Sequence, residues 1–185
     1  MIYAAFNKPY GYLSQFKDFR SSPGLSSFSL PKGVYPCGRL DLDSEGLLIL
    51  SDDGIFNQKV SNPKYKKEKT YWVQVEGEIN QEALQKLKDG VSLKDGPAFA
   101  LKADKISQPN IAPRVPPIRE RKTVPVSWAE ISINEGRNRQ VRRMMASVGF
   151  PVLRLFRYSI GIVTCEGISP GQFRHLTKEE VLSFR

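Results

Sequence analysis

The chain has 185 residues, of which 40% are hydrophobic, and it carries 28 Lys and Arg against 19 Asp and Glu, a formal net charge of +9. This length and composition favour one globular domain over a disordered chain, and no apolar run approaches the roughly 18 residues of a membrane span. The two cysteines, Cys37 and Cys165, and a start without a basic leader indicate a mature cytoplasmic protein rather than a secreted disulfide framework.

The charge is distributed unevenly along the chain. Residues 137–157 hold six arginines and no acid, and residues 59–69 hold five lysines and one acid. Residues 39–53 carry a net negative charge instead, with five acids and one arginine. A basic molecule with one acidic segment is typical of an enzyme that acts on nucleic acid, although ordinary solvated surface charge is the alternative.

In the first half of the chain, apolar runs and alternation predict strands and turn residues predict the connections between them. We expect strands over 2–6, 47–50 and 71–76, a turn over 7–11, and a loop over 17–33 with a short helix near 25–28. Asn80 then caps a helix that carries Ala83, Leu84 and Leu87 on one face, and Gly90 ends it.

In the second half, residues 107–125 form a proline-rich basic loop and residues 126–133 a strand. Asn138 is predicted to cap a helix that runs to Val148, with Arg139, Arg142 and Arg143 off its apolar stripe. Residues 153–163 are strand-like, and residues 177–180 form the capping box of a final helix. Because few helices cross between strands, we expect a mixed or mostly antiparallel sheet with packed helices, an α+β class.

The acidic segment GRLDLDSEGLLILSDDG, residues 38–54, allows three interpretations. It resembles a calcium loop by ligand spacing, but Pro36 and Gly38 stand where the entering helix should be. It is also compatible with a polar turn whose Asp41, Asp43 and Glu45 all face water. The third interpretation is a catalytic aspartate, held ionised by an arginine, for which Arg142 is a candidate.

Other chemistry has less support in the sequence. The segment GRNRQVRRM, residues 136–144, suits phosphates or a solvent-facing basic helix equally well. Trp72, Trp128, Phe156 and Tyr158 are candidates for base stacking, with core packing as the alternative. A single histidine, His175, excludes multi-histidine metal sites and His-based triads, and no phosphate-binding glycine motif is present.

Taken together, three ordered motifs resemble the ribosomal small-subunit (RsuA-type) pseudouridine synthases. They are residues 38–54, the segment KTY at 69–71 and residues 136–144, and the segments NKP at 7–9 and RHLT at 174–177 resemble the outer motifs. The resemblance implies a pseudouridine synthase fold, with a mixed, mostly antiparallel sheet in two lobes and a central cleft. It also implies one catalytic domain over 1–185, without the N-terminal S4-type domain of many members.

The resemblance implies that Asp41 is the catalytic aspartate, that Tyr71 stacks on the target base and that Arg142 pairs with Asp41. It implies an isomerase without cofactor or metal that acts on ribosomal RNA. The short form and the segment PPIRERK at 116–122 resemble members that act on the large subunit, so we expect 23S RNA as the substrate, either naked or within a pre-ribosomal particle. We expect a monomer. The residues expected to contact RNA are Arg39, Lys67, Lys69, Arg119, Arg121, Lys122, Arg137, Arg139 and Arg143.

Two competing functions remain open at this point. A noncatalytic RNA-binding or ribosome-assembly module would bind RNA without an Asp41-dependent product. A metal-dependent nuclease that uses Asp41, Asp43 and Asp52 would instead cleave the RNA.

Overall fold

The computed structural model describes residues 1–119 and 121–185. Its main elements are strands and four α-helices. The longer strands are β1 (Tyr3–Lys8), β3 (Glu45–Ser51), β4 (Lys69–Glu76), β7 (Lys102–Ile106), β8 (Val126–Ile133) and β9 (Val152–Ile160). The shorter ones are β2 (Tyr35–Pro36), β5 (Val91–Leu93), β6 (Gly96–Ala98), β10 (Val163–Thr164) and β11 (Phe173–His175). The helices are α1 (Gly54–Ser61), α2 (Gln81–Asp89), α3 (Gln140–Ser147) and α4 (Lys178–Leu182).

One nine-stranded sheet runs through the molecule in the order β11-β1-β3-β9-β4-β8-β7, with β2 on β3 and β10 on β9. Every pair is antiparallel except β3 with β9. The predicted α+β class and the mixed, mostly antiparallel sheet are confirmed.

The two halves of the sheet meet at a short junction. The parallel register of β3 and β9 aligns Glu45 with Phe156 and Gly46 with Arg157. Gly46 has φ +103, and a Cβ built on it would lie 2.4 Å from the carbonyl oxygen of Arg157. The two backbones can therefore approach this closely only because residue 46 has no side chain.

Hydrophobic clusters lie on both faces of this sheet. One cluster packs α2 and α3 against β4, β8 and β9 through residues such as Leu84, Met144 and Val73. A second cluster includes Phe56, Phe156 and Phe184. A third joins β1 and β3 to a 3-10 helix at Leu25–Ser27, the short helix predicted near 25–28. None of the helices in the described residues is long and apolar enough to span a membrane.

Local signals place the starts of α2 and α4 correctly. The Asn80 side chain accepts a hydrogen bond from Ala83 N at the start of α2, and Thr177 and Glu180 form the predicted capping box of α4. The loop over 107–125 holds no helix or strand among its described residues. Strand β1 continues to Lys8, so the turn begins later than predicted.

The prediction that Asn138 caps α3 is wrong. The N-cap position is Arg139, in the left-handed region at φ 49, and no side chain caps the helix there. At the start of the helix, the side-chain oxygen of Gln140 accepts a hydrogen bond from Arg137 N at 3.0 Å. The Asn138 carbonyl accepts a bond from Arg143 Nε.

Candidate active site

A cleft of about 390 Å³ opens on the sheet face that carries Tyr71. Its walls are the loop before β3, the ends of β4, β8 and β9, and the turn that leads into α3. The lining side chains that matter for chemistry are Arg39, Asp41, Ser44, Lys69, Tyr71, Arg137, Arg139 and Arg157. The topology therefore brings all three motifs of the sequence to one place.

Asp41 lies on a tight turn that is held by hydrogen bonds from the Ser14 side chain and within its own backbone. Ser14 Oγ accepts a hydrogen bond from Leu40 N at 2.9 Å and donates one to the Leu40 carbonyl at 2.8 Å. The Asp41 carbonyl then accepts a bond from Ser44 N at 3.0 Å. The Asp41 side chain is 38% exposed and lines the cleft, so its carboxylate is accessible to a ligand.

Asp43, two residues after Asp41, is bound by two arginines at the start of α3, the N-cap residue Arg139 and the first-turn residue Arg142. Both carboxylate oxygens of Asp43 accept bonds of 2.9 Å from Arg139, and Arg142 Nη2 donates to the Asp43 backbone carbonyl at 2.7 Å. Burial works against ionisation of Asp43, but the hydrogen bonds from Arg139 and the charge of Arg142 outweigh it and lower its pKa. Burial also lowers the pKa of Arg142.

The predicted direct ion pair between Asp41 and Arg142 is therefore wrong for this structure. Among the described residues, the one cation within 4 Å of the Asp41 carboxylate is Arg139, at 3.6 Å. Arg142 Nη2 lies 3.5 Å from Asp43 Oδ2 instead. Because the sequence alternates Asp41 and Asp43, it does not distinguish which of them the arginine reaches.

Tyr71 also lines the cleft. It lies on β4, in register with Ile131 of β8 and with Arg157 of β9, and its side chain is 8% exposed. Because β4 lies between β8 and β9 and the Tyr71 ring is buried, packing restricts the orientation of the ring, so it can present a fixed surface to a flat ligand.

The third carboxylate of the acidic segment turns away from the cleft. Glu45 accepts two hydrogen bonds of 2.8 Å from Arg154, and both side chains are less than 10% exposed. The interpretation of the segment as a fully solvated turn is therefore wrong. With Glu45 bonded to Arg154, the three carboxylates do not converge on one point.

A family model described as RNA pseudouridylate synthase matches residues 2–147. The chain is a member of this family. A pseudouridine synthase is an isomerase, so the enzyme class predicted from the motifs is confirmed.

Individual relatives agree with the family model. The chain is 54% identical over 172 residues to ribosomal large subunit pseudouridine synthase E of Xanthomonas campestris, covering 91% of each protein. It is 36% identical over 186 residues to ribosomal large subunit pseudouridine synthase B of Bacillus subtilis, covering 71% of that protein. A crystal structure of a pseudouridylate synthase matches with a TM-score of 0.80 at 27% identity, over 100% of this chain and 74% of that one.

The basic residues predicted to contact RNA divide into two groups on this pseudouridine synthase. Arg39, Lys69, Arg137 and Arg139 line the cleft. The others lie outside its lining: Lys67 donates to the Ser183 carbonyl, Arg143 binds Asp95, Arg121 lies 3.1 Å from Glu76, and Arg119 and Lys122 are exposed on the loop over 107–125.

Two of the six arginines in residues 137–157 are buried rather than available to phosphates. Arg154 and Arg157 are 7% and 5% exposed. They lie three residues apart on β9 and therefore on opposite faces of the sheet. Sequence reasoning missed their separate surroundings because both fall in one basic segment.

The aromatic residues considered for base stacking lie away from the cleft. Trp72 stacks on Tyr158 with ring centroids 4.0 Å apart and on Phe156 at 5.9 Å. These three rings line a second cavity, of about 730 Å³, on the opposite face of the sheet. Trp128 is buried on β8.

Proposed function

We propose that this pseudouridine synthase isomerises a uridine of large-subunit ribosomal RNA, with Asp41 as the catalytic carboxylate. The observation that carries the proposal is the cleft itself: an accessible aspartate, a fixed tyrosine and a group of arginines face one space. The substrate class comes from the large-subunit names of relatives that are 54% and 36% identical.

The reaction breaks the bond between C1′ and N1 of uracil, rotates the base and joins C1′ to C5. Asp41 acts on the nucleotide at C6, at C1′ or at the 2′ proton, and each route needs an ionised, accessible carboxylate. The C5 proton leaves at the end, so no redox partner or transferred group is required.

Tyr71 stacks on the target base. A uridine must leave its own stack to enter the cleft, which costs a few kcal/mol in a duplex. Stacking on an aromatic side chain is worth about 1–3 kcal/mol per base and offsets part of that cost.

Arg142 acts as a positioning residue. It bonds to the Asp43 carbonyl, two residues from Asp41 and inside the same turn. Arg139, at 3.6 Å from Asp41, supplies the nearest positive charge. Arg39, Arg137 and Arg139 at the cleft contact the RNA backbone, with salt-dependent affinity and little sequence information.

We further propose that residues 1–185 work as one catalytic domain in the cytoplasm, on 23S RNA or a pre-ribosomal particle. The continuous sheet, with a cluster on each side of its junction, supports one catalytic unit.

The test is a comparison of the wild type with Asp41→Asn on unmodified 23S and 16S transcripts and on ribosomal particles, mapped by carbodiimide-dependent primer extension. We expect a single stop in 23S RNA with the wild type and none with Asp41→Asn. Asp89→Asn, an exposed change on α2 outside the lining of the cleft, is the matched control and keeps the stop. A stop in 16S RNA refutes the substrate, and a stop that survives Asp41→Asn refutes the active site.

A further inference from the structure

The floor of the cleft holds hydrogen-bond donors without partners. In the described part of the chain, four buried side-chain polar atoms lack a partner: Ser44 Oγ, Arg137 Nε, Arg142 Nε and Arg157 Nη2. Ser44, Arg137 and Arg157 line the cleft, and Ser44 and Arg157 are 1% and 5% exposed. A buried donor left unsatisfied costs about 1–3 kcal/mol, and more when it is charged, so this concentration indicates a place where a ligand supplies acceptors.

Arg157 is held firmly while one of its nitrogens stays free. Its Nε donates to the Leu47 carbonyl at 2.8 Å and its Nη1 to the Arg39 carbonyl at 3.3 Å. Within the described residues no carboxylate lies within 4 Å of its guanidinium, whereas Arg154 on the same strand is neutralised by Glu45. The fold has therefore placed a buried, uncompensated cation at the cleft.

A second cation lies beside it. Lys69 lines the cleft, and burial followed by the charge of Arg157 lowers its pKa to about 8. Two cations at the floor favour a ligand that carries, or develops, negative charge.

The position of Arg157 favours the base over the phosphate as its partner. Arg157 pairs in register with Tyr71, the residue proposed to stack on the base. Both side chains are more than nine-tenths buried, whereas Arg39 and Arg139 at the rim are exposed or partly exposed. A flat, uncharged uracil suits this narrow, buried position, whereas the charged phosphates suit the exposed arginines at the rim.

We propose that Arg157 Nη2 donates a hydrogen bond to a carbonyl oxygen of the target uracil and stabilises the negative charge that the ring gains in the reaction. When the C1′–N1 bond breaks, its electron pair moves onto N1 and the adjoining carbonyls. When C1′ joins C5, that pair forms the new bond; the C5 proton is then lost and N1 takes up a proton, so the product is a neutral isomer of uridine. A fixed donor at a developing charge is worth more in a closed cleft than in water. The proposal rests on the proposed active site at Asp41.

The test uses an RNA with a single target uridine, prepared with uridine, 2-thiouridine or 4-thiouridine. Single-turnover rates are measured for the wild type and for Arg157→Lys, which keeps the charge and loses the forked donor. We expect Arg157→Lys to slow the uridine reaction at least 30-fold and to slow one of the two thio-RNAs less than threefold. Comparing the two enzymes on each RNA cancels the intrinsic reactivity of the thio bases, as in a double-mutant cycle.

Arg154→Lys is the matched control, because Arg154 lies on the same strand with similar burial but on the opposite face. It should slow all three RNAs by the same small factor. A loss in Arg157→Lys that is equal on all three RNAs would mean that Arg157 is only structural and would overturn the proposal.

Two further experiments separate a failure of this proposal from a failure of the proposed active site or of folding. If Asp41→Asn stays active, the proposed active site is wrong and this proposal falls with it; if Asp41→Asn is inactive and no thio effect appears, this proposal alone is wrong. If Arg157→Lys does not unfold cooperatively, a crystal structure of the wild type with RNA decides the question. A uracil oxygen within about 3.2 Å of Nη2 supports the proposal, and a longer separation overturns it.

Discussion

Replacing Glu45 with Gln removes one charge from a buried ion pair at the junction of the sheet. Two hydrogen bonds of 2.8 Å join Glu45 to Arg154, whose side chains are 9% and 8% exposed. Arg154 also donates to the Ala112 carbonyl at 2.7 Å and so holds the loop over 107–125 against the sheet.

The expected cost follows from the charge that is left behind. Removing one partner of a buried pair leaves the other uncompensated and typically costs about 3–5 kcal/mol. Since domains have about 5–15 kcal/mol of stability in total, Glu45→Gln should lower the free energy of unfolding by a large fraction. Urea denaturation followed by circular dichroism measures this directly.

Two controls separate charge burial from other effects. Glu82→Gln breaks an exposed pair with Lys86 and should leave the unfolding midpoint unchanged. The double variant Glu45→Met with Arg154→Met should recover most of the loss, because neither member of the buried ion pair remains. If Glu45→Gln stays within about 1 kcal/mol of the wild type, the buried pair does not stabilise the junction as argued.

Two further predictions concern neighbours of this junction. Gly46→Ala should cost more than about 3 kcal/mol, because the new Cβ meets the Arg157 backbone at a positive φ, whereas Gly54→Ala, with open space around it, should be nearly neutral in the same urea assay. Lys8 is fully buried and burial lowers its pKa to about 7 from 10.5. Above pH 7 the unfolded chain keeps a proton that the folded protein releases, so the wild type should gain up to about 1.4 kcal/mol per pH unit relative to Lys8→Met between pH 7 and 10. If the free energies of unfolding of the two proteins change in parallel with pH, the pKa of the Lys8 amine is not lowered as argued.

Local signals in the sequence were sufficient for β8 and α2, but they did not predict α1 or β7. Strand β8 has the predicted bounds, Val126–Ile133, and α2 begins at the predicted Asn80 cap, because alternation and capping depend on residues close in the chain. The start of α3 is different. Asn138 is a good N-cap by type, but the Arg139 side chain is drawn to Asp43, 96 residues away, and the helix begins one residue later than an Asn138 cap implies. A tertiary contact overrode the local preference.

The partners of the site residues depend on the pairing of β3 with β9, which the sequence pattern does not predict. The parallel pairing of β3 with β9 sets Gly46 against Arg157 and leads Glu45 to Arg154 on the other face. The period of a strand predicts that Arg154 and Arg157 face opposite ways, but not which of them meets a carboxylate. Once the register is known, the consequence is direct: one arginine is neutralised on the back of the sheet, and the other is left with a free donor in the cleft. The same two-residue junction therefore joins the halves of the fold and leaves the uncompensated charge to which we assign the target base.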